Sequence, residues 1–498
     1  MATISWKPSV LALALLLLPL FPEAAHAATD ADLDEIRAQI RDLKASYEAR
    51  IQSLEQRLKD AETAAKGRGS ASAPSSSAAD AAQAAAPSGA PAAASSAAAG
   101  GSPASPTMEA AASTPPNSSA GPGISGFNPA ISAVLQGRYA NLSQDPHSYA
   151  ITGFAPAGDI GPGPRGFSAS ESELALSASV DHLFAANLIV ALSPENTVSV
   201  EEAYGLVTAA PYGLAPKFGR FFSGLGYMNE QHQHVWDFID APLAYQAFLG
   251  GQYANDGLQV KWIAPTDTFV ELGAEVGNGD NFPASPQNKN GIGSSVVYAH
   301  VGDDIGASHS WRAGLSYLQT RTGDRSYSQT DAFGRDAQLG FAGTSHVGVA
   351  DFVWKYAPNG NAMTTNFKLQ GEYFWRRESG DLTYDADGRL GLTQTSGYAS
   401  RQSGWYLQGV YQFLPGWRVG ARYDRLDSGS VDYGDNAASL GTTSYDPRRV
   451  TVMVDYTPSE FSRIRLQLAQ DKSRQDATDN QLFLQYILTI GAHGAHKF

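Results

Sequence analysis

Five side chains that titrate and bind metals lie close together in one polar segment. They are Glu230, His232, His234, Asp237 and Asp240, and they span eleven residues. Imidazole and carboxylate groups are ligands that zinc accepts, which makes His232 and His234 a candidate metal pair. Two histidines in a polar loop more often form surface hydrogen bonds. The pattern therefore leaves two interpretations open, a zinc site or a solvated loop.

Six basic residues alternate with apolar ones in segments that have the period of a β-strand. In the segment 363–376, Leu369, Tyr373 and Trp375 fall on one face and the basic residues fall on the other. If the apolar faces meet lipid, the basic faces line a pore opposite the acidic segment, and the two produce a transverse field that orders polar solutes. On an ordinary surface the same charges are only solvated. The predicted pore-wall residues are Lys368, Arg376, Arg418, Arg422, Arg463 and Arg465.

The amino terminus predicts an exported protein. Lys7 precedes an apolar run from Val10 to Phe21, and Ala25-His26-Ala27 follows soon after. This is the pattern of a secretory signal peptide, predicted over residues 1–27. The apolar run is shorter than the roughly 18 to 20 residues that a membrane-spanning helix requires. The chain has no cysteine, which excludes disulfide scaffolding and thiolate metal sites.

Two further segments precede the region with strand periodicity. Residues 28–66 place Leu33, Ile36 and Ile40 at the spacing of a heptad seam, which predicts a periplasmic α-helical coiled coil. A lone amphipathic helix on a membrane surface is the alternative. Residues 67–124 consist almost entirely of Ala, Ser, Pro and Gly, which predicts a disordered linker.

Residues 125–498 alternate apolar and polar side chains repeatedly, with breaks at turns and loops. The last of these runs places Leu482, Leu484 and Tyr486 on one face and Gln485 on the other. Short turns alternate with mostly longer loops, an asymmetry typical of a transmembrane barrel and not of a secreted β-sandwich. We therefore predict an all-β fold, an antiparallel transmembrane barrel of about 16 strands. The predicted strands are 130–142, 171–182, 185–193, 198–209, 213–221, 256–264, 267–277, 293–302, 308–320, 344–356, 363–376, 402–414, 417–427, 448–457, 460–470 and 481–490.

Four short motifs carry a resemblance to a known family. They are Phe127-Asn128-Pro129-Ala130-Ile131, Gly219-Arg220-Phe221-Phe222, Trp236-Asp237-Phe238 and the terminal Gly491-Ala492-His493-Gly494-Ala495-His496-Lys497-Phe498. With them the chain resembles Gram-negative outer-membrane proteins related to the phosphate-selective porins O and P, some of which are linked to zinc-regulated uptake. The resemblance implies a sixteen-stranded trimer. The coiled-coil extension is similar to that of the sucrose porin, which implies a trimeric stalk.

Two features of the chain qualify and extend this resemblance. The terminal Phe498 resembles the recognition signal of the outer-membrane assembly machinery, which is therefore an expected partner. The longest loop, from about 222 to 254, is the third external connection of the predicted barrel, and in trimeric porins the third loop narrows the pore. It lacks the ladder of arginine and lysine expected for phosphate, so the resemblance does not extend to phosphate selectivity.

The expected function is that of an outer-membrane porin, a water-filled pore for passive diffusion of small hydrophilic solutes or ions. The net charge of −14 argues against a preference for anions. No nucleophile motif is present, so we expect no enzymatic activity, and no cofactor beyond zinc. The expected partners are the bilayer with its lipopolysaccharide and two further copies of the chain, without nucleic acid. Two alternatives remain: zinc-linked uptake, and an envelope tether that binds peptidoglycan through the coiled coil.

Overall fold

The structure is a computed structural model that describes residues 129–156, 160–194, 196–286 and 290–491. The signal peptide at 1–27, the coiled coil at 28–66 and the linker at 67–124 lie outside the described residues. The segment after Gly491, with the terminal Phe498, also lies outside them. These four assignments stay predictions.

The described residues form one antiparallel sheet that closes on itself. β1 pairs with β17 over eleven residues, from Ser132 opposite Gly491 to Leu142 opposite Gln481, and on its other side it pairs with β2 and β3. Because β2 and β3 both lie along β1, they count as one interrupted strand, and the barrel has sixteen strands in all. The predicted fold class is confirmed. The strands are β1 (Ala130–Leu142), β2 (Gly166–Ser168), β3 (Ser172–Ser179), β4 (Phe184–Leu192), β5 (Val198–Val207), β6 (Leu214–Phe222), β7 (Ala254–Ile263), β8 (Phe269–Gly277), β9 (Ser294–Ile305), β10 (His309–Thr330), β11 (Asp336–Tyr356), β12 (Asn366–Tyr384), β13 (Gln394–Leu414), β14 (Trp417–Asp432), β15 (Arg448–Ser459), β16 (Ser462–Lys472) and β17 (Asp479–Gly491).

The two faces of the barrel wall differ in polarity. On β17, Leu482, Leu484 and Tyr486 are exposed on the outside, while Gln481 and Gln485 are buried on the inside. Successive side chains of a strand point to opposite faces, so the alternation in the sequence becomes an apolar exterior and a polar interior. This is the architecture of a transmembrane β-barrel, whose outer band contacts lipid tails.

The connections between strands sort by length onto the two rims. One rim has short turns, such as Pro415-Gly416 between β13 and β14, where Gly416 adopts φ 75°. A side chain there would come within 2.7 Å of the Thr457 carbonyl oxygen, so the tight turn favours glycine. The other rim has mostly longer connections. The longest, residues 223–253 between β6 and β7, is named loop 3.

Strands β10 to β13 are 22, 21, 19 and 21 residues long, about twice the 9 to 11 residues that cross a membrane. On β12 the outward side chains are apolar up to Trp375 and polar at Arg377 and Asp381 beyond it. The far halves of these strands therefore extend past the apolar band, and we name them the projecting hairpins. The predicted strand ends at 320, 344, 376, 402 and 427 were wrong by up to ten residues on this side.

The interior of the projecting hairpins explains why their strands were missed. Their inward side chains form an apolar cluster that includes Leu339, Phe341, Leu382 and Tyr398. Polarity is thus reversed relative to the rest of the barrel, because here water is outside and the packed core is inside. A strand prediction that looks for an apolar outer face therefore stops at the edge of the apolar band.

Two α-helices occur among the described residues. The helix α1 (Leu243–Leu249) lies in loop 3, and α2 (Ala437–Leu440) lies between β14 and β15. Neither these nor the short 3-10 turns of the described residues are long and apolar enough to cross a membrane.

Candidate pore constriction

Loop 3 lies inside the barrel, and none of residues 221–250 is exposed. Tyr245 and Phe248 of α1 pack against Phe374 on β12, with ring centroids 5.0 and 5.9 Å apart. The inward-facing Val349 and Leu426 belong to the same buried cluster. Burial of each large apolar side chain is worth about 1.5–3 kcal/mol. The apolar residues of loop 3 therefore hold it against the wall.

The ends of α1 are fixed by the wall and by a glycine. The amide of Leu243, the first residue of the helix, donates to Asp424 on β14 at 2.9 Å. The helix ends at Gly250, whose φ of 71° is in the left-handed region. Glycine adopts this conformation without the steric cost of a side chain, and it is the usual residue just past a helix end.

A second anchor for loop 3 is the carboxylate of Glu372 on β12. It accepts hydrogen bonds from the amides of Tyr227 at 3.3 Å and Met228 at 3.1 Å. It also accepts from the hydroxyls of Tyr245 at 2.9 Å and Tyr406 at 2.7 Å. Four donors thus bond to one buried carboxylate, and they replace the water that the carboxylate would otherwise bind.

Asp237 of loop 3 contacts two of the predicted wall residues. Its carboxylate pairs with Lys368 and lies 3.2 Å from Arg418 Nη1. Arg418 also bonds to Asp455, which in turn accepts from Arg465 at 2.7 Å. Burial raises the pKa of Asp237, but Lys368 and Arg418 lower it by a larger amount, so the pKa of Asp237 lies well below the usual range. This carboxylate stays charged near neutral pH.

Asp240 of loop 3 also contacts cations of the barrel wall. It lies 3.1 Å from Arg422 and 2.5 Å from Arg449, and it accepts from Gln467 at 2.8 Å. Burial raises the pKa of Asp240, and the guanidinium groups of Arg449 and Arg422 lower it below its ordinary value. Three wall strands, β14, β15 and β16, thus hold this one carboxylate.

All six predicted wall residues do face the interior. Arg376 donates to the Ala247 carbonyl of loop 3 at 3.2 Å, and Arg463 donates to that of His234 at 3.4 Å. Loop 3 lies directly against the wall, and its acids Asp237 and Asp240 pair with the wall cations. A low-dielectric interior favours such contacts over isolated buried charges. Whether these residues line the conducting path stays a prediction.

Glu230 of loop 3 forms its ion pair with the wall. It pairs with Lys261 on β7. Burial raises the pKa of Glu230, but Lys261 and Lys217 lower it to about 2. The carboxylates of Glu230 and Asp237, which are close to the histidines in sequence, thus pair with wall cations. Metal binding by His232 and His234 stays a prediction.

Carboxylates of the wall surround the histidines instead. His232 Nδ1 lies 3.1 Å from Glu201, its Nε2 lies 3.1 Å from Glu202, and His234 Nδ1 lies 2.9 Å from Glu173. One ligand atom each from Glu173, Glu201 and His232 fall within 4.8 Å of one another. Burial lowers the pKa of His232, but the hydrogen bonds to Glu201 and Glu202 raise it well above 6.5. These three residues have the donors and spacing to hold a metal.

Sequence reasoning missed the acidic wall partners of loop 3 and one basic partner. Glu173, Glu201 and Glu202 lie on predicted strands, and so do Glu372 and Arg449. The consecutive pair Glu201-Glu202 was the available signal, because two carboxylates in a row interrupt the alternation expected of a strand. The other three were hidden, since nothing local shows which inward residues a distant loop will reach.

A small polar cavity separates part of loop 3 from the wall. It has room for about one water molecule. Asp237 and Asp240 line it from the loop, and Gln370, Gln408 and Arg422 line it from β12, β13 and β14. These groups offer donors and acceptors to a water molecule.

Several solved structures that resemble this chain are those of outer-membrane proteins. The outer membrane channel DcaP of Acinetobacter baumannii is 13% identical, with a TM-score of 0.45 over 74% of this chain and 99% of that one. OprB of Pseudomonas putida is 15% identical, with a TM-score of 0.41 over 73% and 94%. OmpT of Vibrio cholerae is 12% identical, with a TM-score of 0.43 over 73% and 98%. At these scores the fold assignment depends on the strand pairing described above.

No family model matches the chain. An uncharacterized protein of Aquifex aeolicus (strain VF5) is 32% identical over 354 residues, which cover 67% of this chain and 70% of the relative. An identity of this size over most of both proteins indicates common descent and a common fold. The chain therefore belongs to the same family as this Aquifex aeolicus protein.

Proposed function

We propose that the chain forms an outer-membrane channel for passive diffusion of small hydrophilic solutes or ions. The observation that carries the proposal is the closed barrel with an apolar exterior, whose interior holds a charged loop against a wall of arginine and lysine. Only closed barrels and helices satisfy their backbone hydrogen bonds in lipid. Charged groups at a constriction select among solutes by size and charge.

The passage is narrow in this proposal. Loop 3 bonds to β8 through Glu275, to β10 through Ser316 and to β12 through Glu372. Its Asp240 reaches β14, β15 and β16. A loop that touches so much of the circumference leaves room only for ions and small polar molecules, so we expect a low conductance.

The finer parts of the proposal come from the sequence. We propose a homotrimer in a bilayer with lipopolysaccharide, inserted by the outer-membrane assembly machinery. The proposed relation to the phosphate-selective porins O and P rests on the four sequence motifs alone. A channel role, without enzymatic activity, is the proposal throughout.

Two alternative functions keep separate tests. An envelope tether that binds peptidoglycan would depend on residues 28–124, so deleting them should abolish binding to purified peptidoglycan and leave conductance unchanged. Zinc-linked uptake would depend on His232 and His234. It is favoured by the carboxylates that surround them, and zinc should then change the conductance.

The wall charges provide the experiment that tests the channel. We expect the Lys368→Gln, Arg418→Gln double variant to shift the zero-current potential in a KCl gradient toward cation preference, because two positive groups leave the constriction. Arg377→Gln is the matched control, since Arg377 lies on β12 beside Arg376 but faces outward. Equal potentials in all three proteins would contradict the proposed constriction.

A further inference from the structure

The wall carboxylates and the histidines of loop 3 form one cluster, which we name the Glu-His cluster. It consists of Glu173 on β3, Glu201 and Glu202 on β5, and His232 and His234 of loop 3. Glu173 and His234 are buried, and the side chains of Glu201, Glu202 and His232 are 10–15% exposed. Three carboxylates and two imidazoles thus meet at one side of the barrel interior.

A β-bulge brings two consecutive carboxylates to the same side. Ile189 on β4 pairs with Glu202 and the next residue, Val190, pairs with Val200, so Glu201 is the extra residue. In a regular strand, neighbouring side chains point to opposite faces, and one of the two glutamates would face lipid. Bulges often re-aim side chains next to functional sites. Here both glutamates reach the ring nitrogens of His232.

The His232 ring is oriented as a metal-bound imidazole would be. Its Nε2 lies 3.1 Å from Glu202, while its Nδ1 faces Glu201 at 3.1 Å and Glu173 at 3.4 Å. When Nε2–H donates to Glu202, the lone pair of Nδ1 points at the other two carboxylates. Ligating histidines commonly donate their second N–H to a carboxylate in this way. His234 likewise bonds to Glu173 at 2.9 Å and fixes that carboxylate.

A neighbouring carboxyl group is short of a partner. Glu171 lies just before β3, two residues from Glu173. Its Oε1 is buried and has no hydrogen-bond partner. Carboxylates that lie close together repel one another unless a positive group lies between them. Four carboxylates with only two imidazoles among them therefore favour a bound cation.

We propose that Glu173, Glu201 and His232 bind a divalent first-row transition-metal cation, with Glu202 and His234 orienting the ligands. The donor set of one imidazole nitrogen and two carboxylate oxygens suits zinc and its neighbours. Calcium and magnesium prefer sites made entirely of oxygen. Because His232 belongs to loop 3 and the two glutamates belong to the wall, the bound cation fastens the loop to β3 and β5.

Zinc binding is measured on the folded chain in detergent, without a bilayer, so the result does not depend on channel activity. The protein is stripped with EDTA, dialysed against ZnCl2 and then analysed for metal content, with magnesium and calcium as competitors. We expect one tightly bound Zn²⁺ per chain that excess magnesium or calcium does not displace. A substoichiometric zinc content, or displacement by magnesium, would overturn the proposal.

Variants assign the site to these residues. We expect Glu201→Gln and His232→Asn to abolish zinc binding, and Glu202→Ala to weaken it about 10- to 100-fold because it loosens the His232 ring. His182→Ala is the matched control, since His182 is exposed in the turn after β3, and it should bind like the wild type. Retention of the barrel is checked by its heat-dependent mobility on gels. Wild-type affinity in a folded Glu201→Gln variant would sink the assignment.

Discussion

Replacement of Asp240 by Asn tests how firmly loop 3 is held. The substitution keeps the shape of the side chain but removes the negative charge between Arg422 and Arg449. Breaking a buried ion pair costs about 3–5 kcal/mol, mostly because a charge is left without compensation. Both guanidinium groups retain contacts with Asp424, at 3.1 and 3.6 Å, so we expect the lower end, about 3 kcal/mol.

A loss of about 3 kcal/mol corresponds to a change of about a hundred-fold in the equilibrium between docked and displaced loop. Hydrogen exchange of peptides from residues 223–253 measures this equilibrium directly, because their amides exchange when the loop leaves the wall. We expect Asp240→Asn to speed exchange in loop 3 about a hundred-fold and to leave the strands unchanged.

The control is an exposed ion pair close to the base of the same loop. Arg220 and Asp256 are 2.7 Å apart, but their side chains are 43% and 38% exposed, and such pairs contribute about 0–1 kcal/mol. Asp256→Asn should therefore change the exchange of loop 3 by less than about five-fold. Equal exchange in Asp240→Asn and the wild type would refute the reasoning that buried pairs hold the loop.

Three further outcomes follow from the same contacts. Glu372→Ala leaves the four donors that bond to Glu372 without their acceptor, which costs about 1–3 kcal/mol for each buried group. Chymotrypsin should therefore cut loop 3 in the folded barrel. Intact protein after digestion would contradict this. Glu378→Ala leaves Arg325 uncompensated inside the projecting hairpins, so thermal unfolding should begin at a lower temperature than in an exposed Glu460→Ala control. The backbone amides of Leu390 and Leu392 donate to Asp385 and hold its pKa below 3.8. These hydrogen bonds persist above pH 3.8 and are lost as the pH falls through the lowered pKa, so both amides should then exchange faster. Protection that does not change with pH would argue against the bonds.

The barrel itself was predictable from the sequence, because burial in lipid imposes a period of two on every crossing strand. Parity then placed Lys368 and Arg418 on the inner face, where the structure has them. The projecting hairpins were missed since outside the membrane the polarity of the two faces reverses, as it does after Trp375. Local pattern reports the surroundings of a strand and not its length.

The candidate site was only half predictable. The residues of loop 3 were identified by composition, but their partners are inward residues on strands far away in sequence. Glu173 is 61 residues from His234, and Asp240 is 182 residues from Arg422. Only the folded barrel brings them together, and only its bulge directs Glu201 toward His232.

Recording of single channels tests the central claim most directly. The purified mature chain, shown by heat-dependent mobility to be folded, is added to a planar lipid bilayer in KCl. The account predicts discrete, ohmic current steps of low conductance that grow when loop 3 is released by Asp240→Asn. A folded barrel that inserts and gives no steps above the background of detergent alone would contradict it.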